Sequence, residues 1–153
     1  CGTSVGEEIE YRVGRSFTGA ETTMTVAPGA DHIGELQAWD LNAGERVWTQ
    51  EFDSHNCGPV LTTGGGLVFA GGTSDRYFRA FDASTGEILW QQRTNSGVIG
   101  VPSTYEVDGV QYVAVQSGWG VDAASMGRRV DGDRGTSTSV PEGGVIWVFA
   151  LDR

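Results

Sequence analysis

Residues 38–48 read AWDLNAGERVW, and residues 80–90 repeat the same pattern as AFDASTGEILW. Both segments follow the form A-x-D-x-x-[AT]-G-E-x-x-W, and they start 42 residues apart. Each predicts a hairpin in which an apolar strand leads through a tight turn, from Asp to Gly, into a second strand that ends in Trp. A period of about 40 to 50 residues, with several short strands in each repeat, is typical of the blades of a β-propeller.

The repeat divides the whole chain into blade-like units, at about residues 8–52, 56–95 and 98–153. Runs of β-forming residues bounded by turn residues predict the strands of the second unit near 58–63, 66–72, 77–83 and 88–94. The same signals predict the strands of the third unit near 100–107, 110–118 and 145–151. The fold class is therefore all-β, with about two to three blades, each a four-stranded antiparallel sheet.

This number of blades is too small for a closed ring, which needs at least about four. Every blade also buries its faces against its neighbours, so an isolated set of blades leaves sheet faces open. We therefore expect this chain to be a fragment or subunit, with a larger chain completing the propeller.

Composition excludes several classes of function. The chain has ten Arg, no Lys and a formal charge of −10, which makes nucleic acid and anionic lipid poor partners. We expect no membrane span, because no run approaches the ~18 apolar residues that a transmembrane helix requires. Cys1 and Cys57 form no CxxC pattern, so neither a zinc site nor a haem site is predicted, and their pairing stays open.

Connectivity alone predicts where a site lies. In a four-stranded meander the start of the first strand and the turn between the second and third strands lie at the same end of the sheet. Residues 56–58, 98–100 and 119–121 should therefore share one face, near the propeller axis. The connection at 119–144 is a long loop, which is either a functional segment or disordered.

Four stretches carry a family resemblance: residues 34–40 (GELQAWD), 60–72 (VLTTGGGLVFAGG), 96–102 (SGVIGVP) and 109–120 (GVQYVAVQSGWG). In order and spacing they resemble the C-terminal part of the PQQ-dependent methanol and ethanol dehydrogenases, and the likeness covers about residues 8 to 153. The paired Trp motifs resemble the tryptophan-docking motifs of that family.

The resemblance implies a periplasmic, eight-bladed quinoprotein that oxidises alcohols by hydride transfer to PQQ over a bound Ca²⁺ or lanthanide ion. It implies a cytochrome c-type electron acceptor. In the family the catalytic Asp and the metal ligands lie upstream, so the resemblance places no catalytic or metal-binding residue in this chain, and we expect the chain to be inactive alone.

What the resemblance does place here is part of the cofactor pocket. Cys57 stands where many relatives have a Trp that reaches PQQ, so Cys57 either contacts the cofactor or is a small buried hydrophobic residue. Gly58 allows a close backbone approach. Trp119, Gly120 and Val121 follow the end of a strand, and the resemblance implies that backbone amides there bind a PQQ carboxylate.

Other conspicuous residues have structural interpretations. Trp48 and Trp90 are predicted to dock one blade on the next, and Trp39 and Trp147 to lie in the core between blades. His32 and His55 are predicted to be solvated loop residues. The Asp residues at turns are predicted to cap them: Asp40, Asp75 and Asp82.

Two alternative functions remain. One is a non-catalytic scaffold built from PQQ-like repeats, which would need no cofactor face. The other is a quinoprotein that acts on sugars or polyols. The sequence leaves the alcohol, the metal and the electron acceptor open, because the residues that select them are elsewhere in the family.

Overall fold

The computed structural model describes residues 2–6, 8, 10–11, 13–14 and 19–151. Their strands are β1 (Gly2–Gly6), β2 (Ala20–Met24), β3 (Gly34–Asp40), β4 (Glu45–Phe52), β5 (Val60–Thr62), β6 (Leu67–Ala70), β7 (Tyr77–Asp82), β8 (Ile88–Arg93), β9 (Ser103–Val107), β10 (Val110–Ser117) and β11 (Val145–Leu151). A helix, α1 (Val121–Arg134), lies between β10 and β11.

The strands pair as antiparallel sheets, which confirms the prediction of an all-β partial propeller. A complete four-stranded meander, β5-β6-β7-β8, occupies the second predicted unit. In the third unit β10 lies between β9 and β11. The first unit differs from the expected meander: β1 pairs with β2, β3 pairs with β4, and β1 begins ahead of residue 8. The unit boundaries themselves stay predictions.

Strands β6 and β7 bury both of their faces. On one face Phe69, Phe78 and Ala80 join a core cluster with Val113 and Val115 of β10. On the other face a second cluster forms around the alternate residues of the same strands, packed against β3 and β4: Val68, Ala70, Phe81, Leu36 and Phe52. Alternation with period two thus places the central sheet between two neighbouring sheets, as in stacked blades.

The repeated motif forms the expected turns. Asp82 accepts hydrogen bonds from the backbone N–H groups of Ser84 and Thr85, at 2.8 and 3.0 Å. Asp40 makes the equivalent bonds in the first copy. Asp75 accepts a bond from the N–H of Tyr77. The three Asp residues therefore cap turns as predicted.

Trp48 joins one sheet to the next. Its indole N–H donates to the carbonyl of Ala83 at 3.0 Å, and its ring lies on Gly86, where an added Cβ would be 2.7 Å from ring carbons. Gln50 donates a further bond to the Gly86 carbonyl. Trp48, at the end of the first copy of the motif, thus packs against the turn of the second copy and binds its backbone.

Trp90, Trp147 and Trp39 differ in their contacts. Trp90 packs edge-on against Phe149, with ring centroids 4.9 Å apart, and Trp147 stacks on Phe149 at 5.9 Å. Trp39 is 52% exposed in this chain, so its predicted place in a core between blades is not seen among the described residues.

We expect Gly86→Ala to destabilise the protein more than Gly66→Ala. Both glycines have positive φ, +76° and +81°, so both substitutions carry the left-handed strain of about 1–2 kcal/mol. Only at Gly86 would the new Cβ displace an indole, which adds roughly 1–3 kcal/mol, whereas Gly66 has open space. Denaturant unfolding of the whole protein would measure the difference. Equal losses would contradict a stabilising role for the Trp48 contact.

Candidate functional site

A site was predicted at one end of the central sheet. At this end the main chains of two segments contact each other directly. The N–H of Cys57 donates to the carbonyl of Gly72 at 3.1 Å. A Cβ on Gly58 would lie 2.5 Å from the carbonyl oxygen of Gly71. The segment entering β5 and the segment leaving β6 therefore touch main chain to main chain.

The third sheet joins this end directly. The N–H of Gly118, at the end of β10, donates to the carbonyl of Gly97 at 2.7 Å, and Val98 forms a parallel bridge with Gly118. The Val98 side chain packs on Gly71, where a Cβ would lie 2.6 Å from it. Residues 56–58, 98–100 and 119–121 thus lie at one end of adjacent sheets, as connectivity predicted.

Trp119 borders a cleft at this end. Its indole lies on Gly97 so closely that a Cβ there would overlap the ring, and its ring centroid is 5.4 Å from that of His55. The cleft has a volume of about 460 Å³, within the range of about 300–1,000 Å³ that is usual for ligand pockets. Five of its lining residues are glycine: Gly100, Gly118, Gly120, Gly143 and Gly144.

The predicted long loop at 119–144 contains α1, so the prediction of an irregular loop is wrong over residues 121–134. Helix α1 holds Gly127 and Gly132 in its interior, and glycine is a poor helix former. Packing stabilises it instead: Ala123 is buried, and Met126 and Val130 are half-buried at helical spacing. That spacing, with Gly135 in the left-handed conformation ending the helix, is the signal that could have revealed it.

The start of α1 lies beside the cleft. Gly120 precedes the helix with extended backbone, φ −75° and ψ 167°, and no side chain caps the end. The first N–H groups of a helix have no partner within it, so those at the start of α1, from Gly120 onward, can bind a ligand. An anion is stabilised at such an end by the helix dipole. The Val121 side chain is 82% exposed.

Cys57 lies at the surface of this chain, so it is not the buried hydrophobic residue that one interpretation offered. Its Sγ is 3.7 Å from Sδ of Met126 on α1. Partial burial raises the pKa of the Cys57 thiol, which stays protonated at neutral pH and is a poor nucleophile. Cys1 lies outside the described residues.

His55 is not the solvated loop residue that the sequence predicted, whereas His32 is a partly exposed loop residue. His55 is only 8% exposed, and among the residues that the structure describes its Nε2 has no hydrogen-bond partner. Burial lowers the pKa of His55, although the backbone of Ala123 and the charge of Asp131 act in the opposite direction. The prediction failed because it had no helix at 121–134 to cover this ring.

His32 lies among carboxylates. Its Nδ1 is 3.0 Å from Asp31 and its Nε2 is 2.5 Å from Glu35, and these hydrogen bonds raise the pKa of His32. Asp31, His32 and Glu51 each place one donor atom within 4.8 Å of the others, so these three could hold a metal ion. Asp31 is 93% exposed, and the sequence had given no signal for this cluster.

We expect Gly97→Ala to displace the indole of Trp119, because the new Cβ and the ring would occupy the same space. Near-ultraviolet circular dichroism and tryptophan fluorescence should change. Gly64→Ala is the matched control, since nothing lies within 4 Å of its Cβ position and its φ is not positive. A change that persists when Trp119 is already Phe would show that another tryptophan, not this one, is displaced.

Comparison with known proteins identifies what this arrangement resembles. The family model described as the glucose/ethanol/alcohol dehydrogenase β-propeller domain (PQQ) matches residues 49–113. Quinoprotein alcohol dehydrogenase PedH of Pseudomonas putida is 40% identical over 96% of this chain, which covers 24% of that protein. Methanol dehydrogenase [cytochrome c] subunit 1 of Paracoccus denitrificans is 40% identical over 73% of this chain and is covered to 18%.

The solved structure of a europium-containing methanol dehydrogenase superposes on 99% of this chain and 29% of its own, with a TM-score of 0.76 and 34% identity. The chain therefore spans about a quarter of the length of the proteins that it matches. Among the described residues, no helix is long and apolar enough to cross a membrane.

Proposed function

Because this chain belongs with the quinoprotein alcohol dehydrogenases, whose C-terminal portion it matches at about 40% identity, we propose that it forms part of the PQQ pocket of an alcohol-oxidising enzyme. PQQ, when bound, supplies the quinone that accepts hydride from the alcohol. This chain binds and orients the cofactor, and the remainder of the enzyme supplies the acid–base and metal chemistry.

The observation that carries the proposal is an uncapped helix end beside a glycine-lined cleft. PQQ is a flat ring system that bears carboxylates. The cleft of about 460 Å³ has room for such a ring, and the N–H groups at Gly120 and Val121 suit a carboxylate. The donor set therefore fits the cofactor without any basic side chain.

Each proposed contact has a distinct task. Trp119 provides an apolar wall of the cleft and excludes water from one edge of the ring. Gly58 lets its main chain lie against that of Gly71, because no side chain fits between them. Cys57, whose sulfur lies beside that of Met126, contributes a small polarizable surface to the cofactor. A larger aromatic residue at this position would extend farther toward the cofactor.

We place the other functions in the portion of the protein that this chain does not cover. A larger N-terminal portion completes the propeller and carries the catalytic Asp and the ligands of a Ca²⁺ or lanthanide ion. The europium in one similar structure supports a lanthanide, and the cytochrome c in the name of one relative supports a cytochrome c-type acceptor. We further propose that the enzyme is periplasmic, as the family resemblance implies.

The function is tested on the whole protein loaded with PQQ and either Ca²⁺ or a lanthanide. We expect alcohol-dependent reduction of an artificial electron acceptor, with activity that depends on both additions and no activity from this chain alone. Comparing small alcohols with polyols identifies the substrate class. A correctly folded whole protein that binds no PQQ would instead favour the non-catalytic scaffold.

We expect Gly120→Val to weaken PQQ binding by about tenfold or more, equivalent to ~1.4 kcal/mol. The fold should tolerate the change: the backbone at Gly120 is extended, and the new Cβ would meet only the terminal Cδ1 of Ile99, at 2.9 Å. The branched side chain would instead occupy the cleft. Titration of the apoenzyme with PQQ at fixed metal measures the loss.

The control for this variant is Arg129→Ala, an exposed position farther along α1. It should leave the PQQ affinity unchanged, because Arg129 does not line the cleft. Equal affinity of the wild type and a folded Gly120→Val variant would remove Gly120 and Val121 from the pocket.

A further inference from the structure

We propose that His55 is a positioning residue that holds Trp119 and the start of α1 against the sheets, and so sets the shape of the PQQ cleft. The inference rests on the proposed function and adds a residue outside the cleft to it. His55 lies between β4 and β5, whereas the cleft is formed by residues from 99 onward.

The ring of His55 contacts both structures that it would position. Its centroid is 5.4 Å from the ring of Trp119, with the planes tilted by 46°. On α1, a Cβ added to Gly127 would lie 3.2 Å from Cε1 of His55, so the helix backbone rests on the imidazole. The ring also interacts with the backbone of Ala123, in the first turn.

Other contacts of α1 include packing against β2, a hydrogen bond from the N–H of Val26 to Asp133 at 3.4 Å, and the approach of Met126 to the Cys57 sulfur at 3.7 Å. Two cavities, of about 450 and 340 Å³, lie along the helix, and His55 lines both of them. The imidazole of His55 therefore separates two cavities. If its volume were removed, α1 and Trp119 could shift into the space.

The polar ring of His55 lies in a buried environment. A buried polar atom without a hydrogen-bond partner is unfavourable, and within the part of the chain that the structure describes Nε2 of His55 is such an atom. An apolar ring would fill the space without that penalty, but it would lack the polar interaction with the first turn of α1. The combination of ring volume and polar contact separates His55 from a simple core residue.

The test is a double-mutant cycle in the whole enzyme, with His55→Ala and Trp119→Phe, read out as the PQQ dissociation constant at fixed metal. We expect His55→Ala to raise that constant about fivefold or more. In the Trp119→Phe background the effect should fall below about twofold, because contacting residues that act through each other are not additive. His55→Phe, which keeps the ring volume, should recover part of the affinity.

His32→Ala is the matched control, because His32 also lines the cavity of about 340 Å³, but its hydrogen bonds go to Asp31 and Glu35 rather than to Trp119 or α1. Its PQQ affinity should equal that of the wild type. If His55→Ala does not fold, the PQQ affinities and unfolding midpoints of His55→Phe and His55→Gln are compared with those of the wild type instead. Lower midpoints with unchanged PQQ affinity would reduce His55 to a purely structural residue and overturn the proposal, as would additive effects in the cycle.

The outcomes separate this inference from the function on which it rests. A wild-type enzyme that binds no PQQ overturns the proposed function. A wild-type enzyme that binds PQQ, and loses it with Gly120→Val but not with any His55 variant, overturns only the role of His55.

Discussion

Burial of both faces of β6 and β7 is the constraint on which the rest of the structure depends. Phe78 and Phe81 lie on opposite faces of β7 and are both fully buried, one toward β10 and the other toward β3 and β4. A sheet with two apolar faces needs a neighbour on each side, and that requirement stacks the three units. The outward faces of this stack expose Trp39, Val47 and Ile146, as expected where further sheets belong.

The same packing fixes the end of the sheet that carries the cleft. Arg79 lies on the face of β7 toward the first unit, only 7% exposed, with its guanidinium 5.5 Å from the ring of Phe52. It pairs with Asp75 in the turn before β7. Desolvation raises the pKa of Asp75, but hydrogen bonds from Arg79 and Thr73 more than offset it and lower the pKa overall. This ion pair, buried on the Arg79 side and exposed on the Asp75 side, thus ties the turn to the interface between sheets.

Local pattern and connectivity determine how much of the fold and of the site the sequence could predict. The Asp-to-Gly turns, the meander of β5 to β8 and the meeting of residues 58, 98 and 118 needed only strand periodicity and chain order. The helix α1 was missed, because its interior glycines oppose helix formation and only the spacing of its few apolar residues indicates it. The burial of His55 was missed for the same reason, because α1 covers the His55 ring. The place of Trp39 in a core between blades stays a prediction, since this side chain lies on an outward face of the described residues.

Charge explains why the proposed contacts come from backbone. The chain carries a formal charge of −10, so an anionic cofactor meets an unfavourable field from its side chains. At the end of the sheets an added Cβ on Gly58 or Gly71 would overlap neighbouring atoms, so no long side chain can reach in from there. Main-chain N–H groups remain, and those at the start of α1 are aligned by the helix. The position of α1 therefore governs the electrostatics of the cleft, which is why the contacts that hold the helix matter as much as the groups that line it.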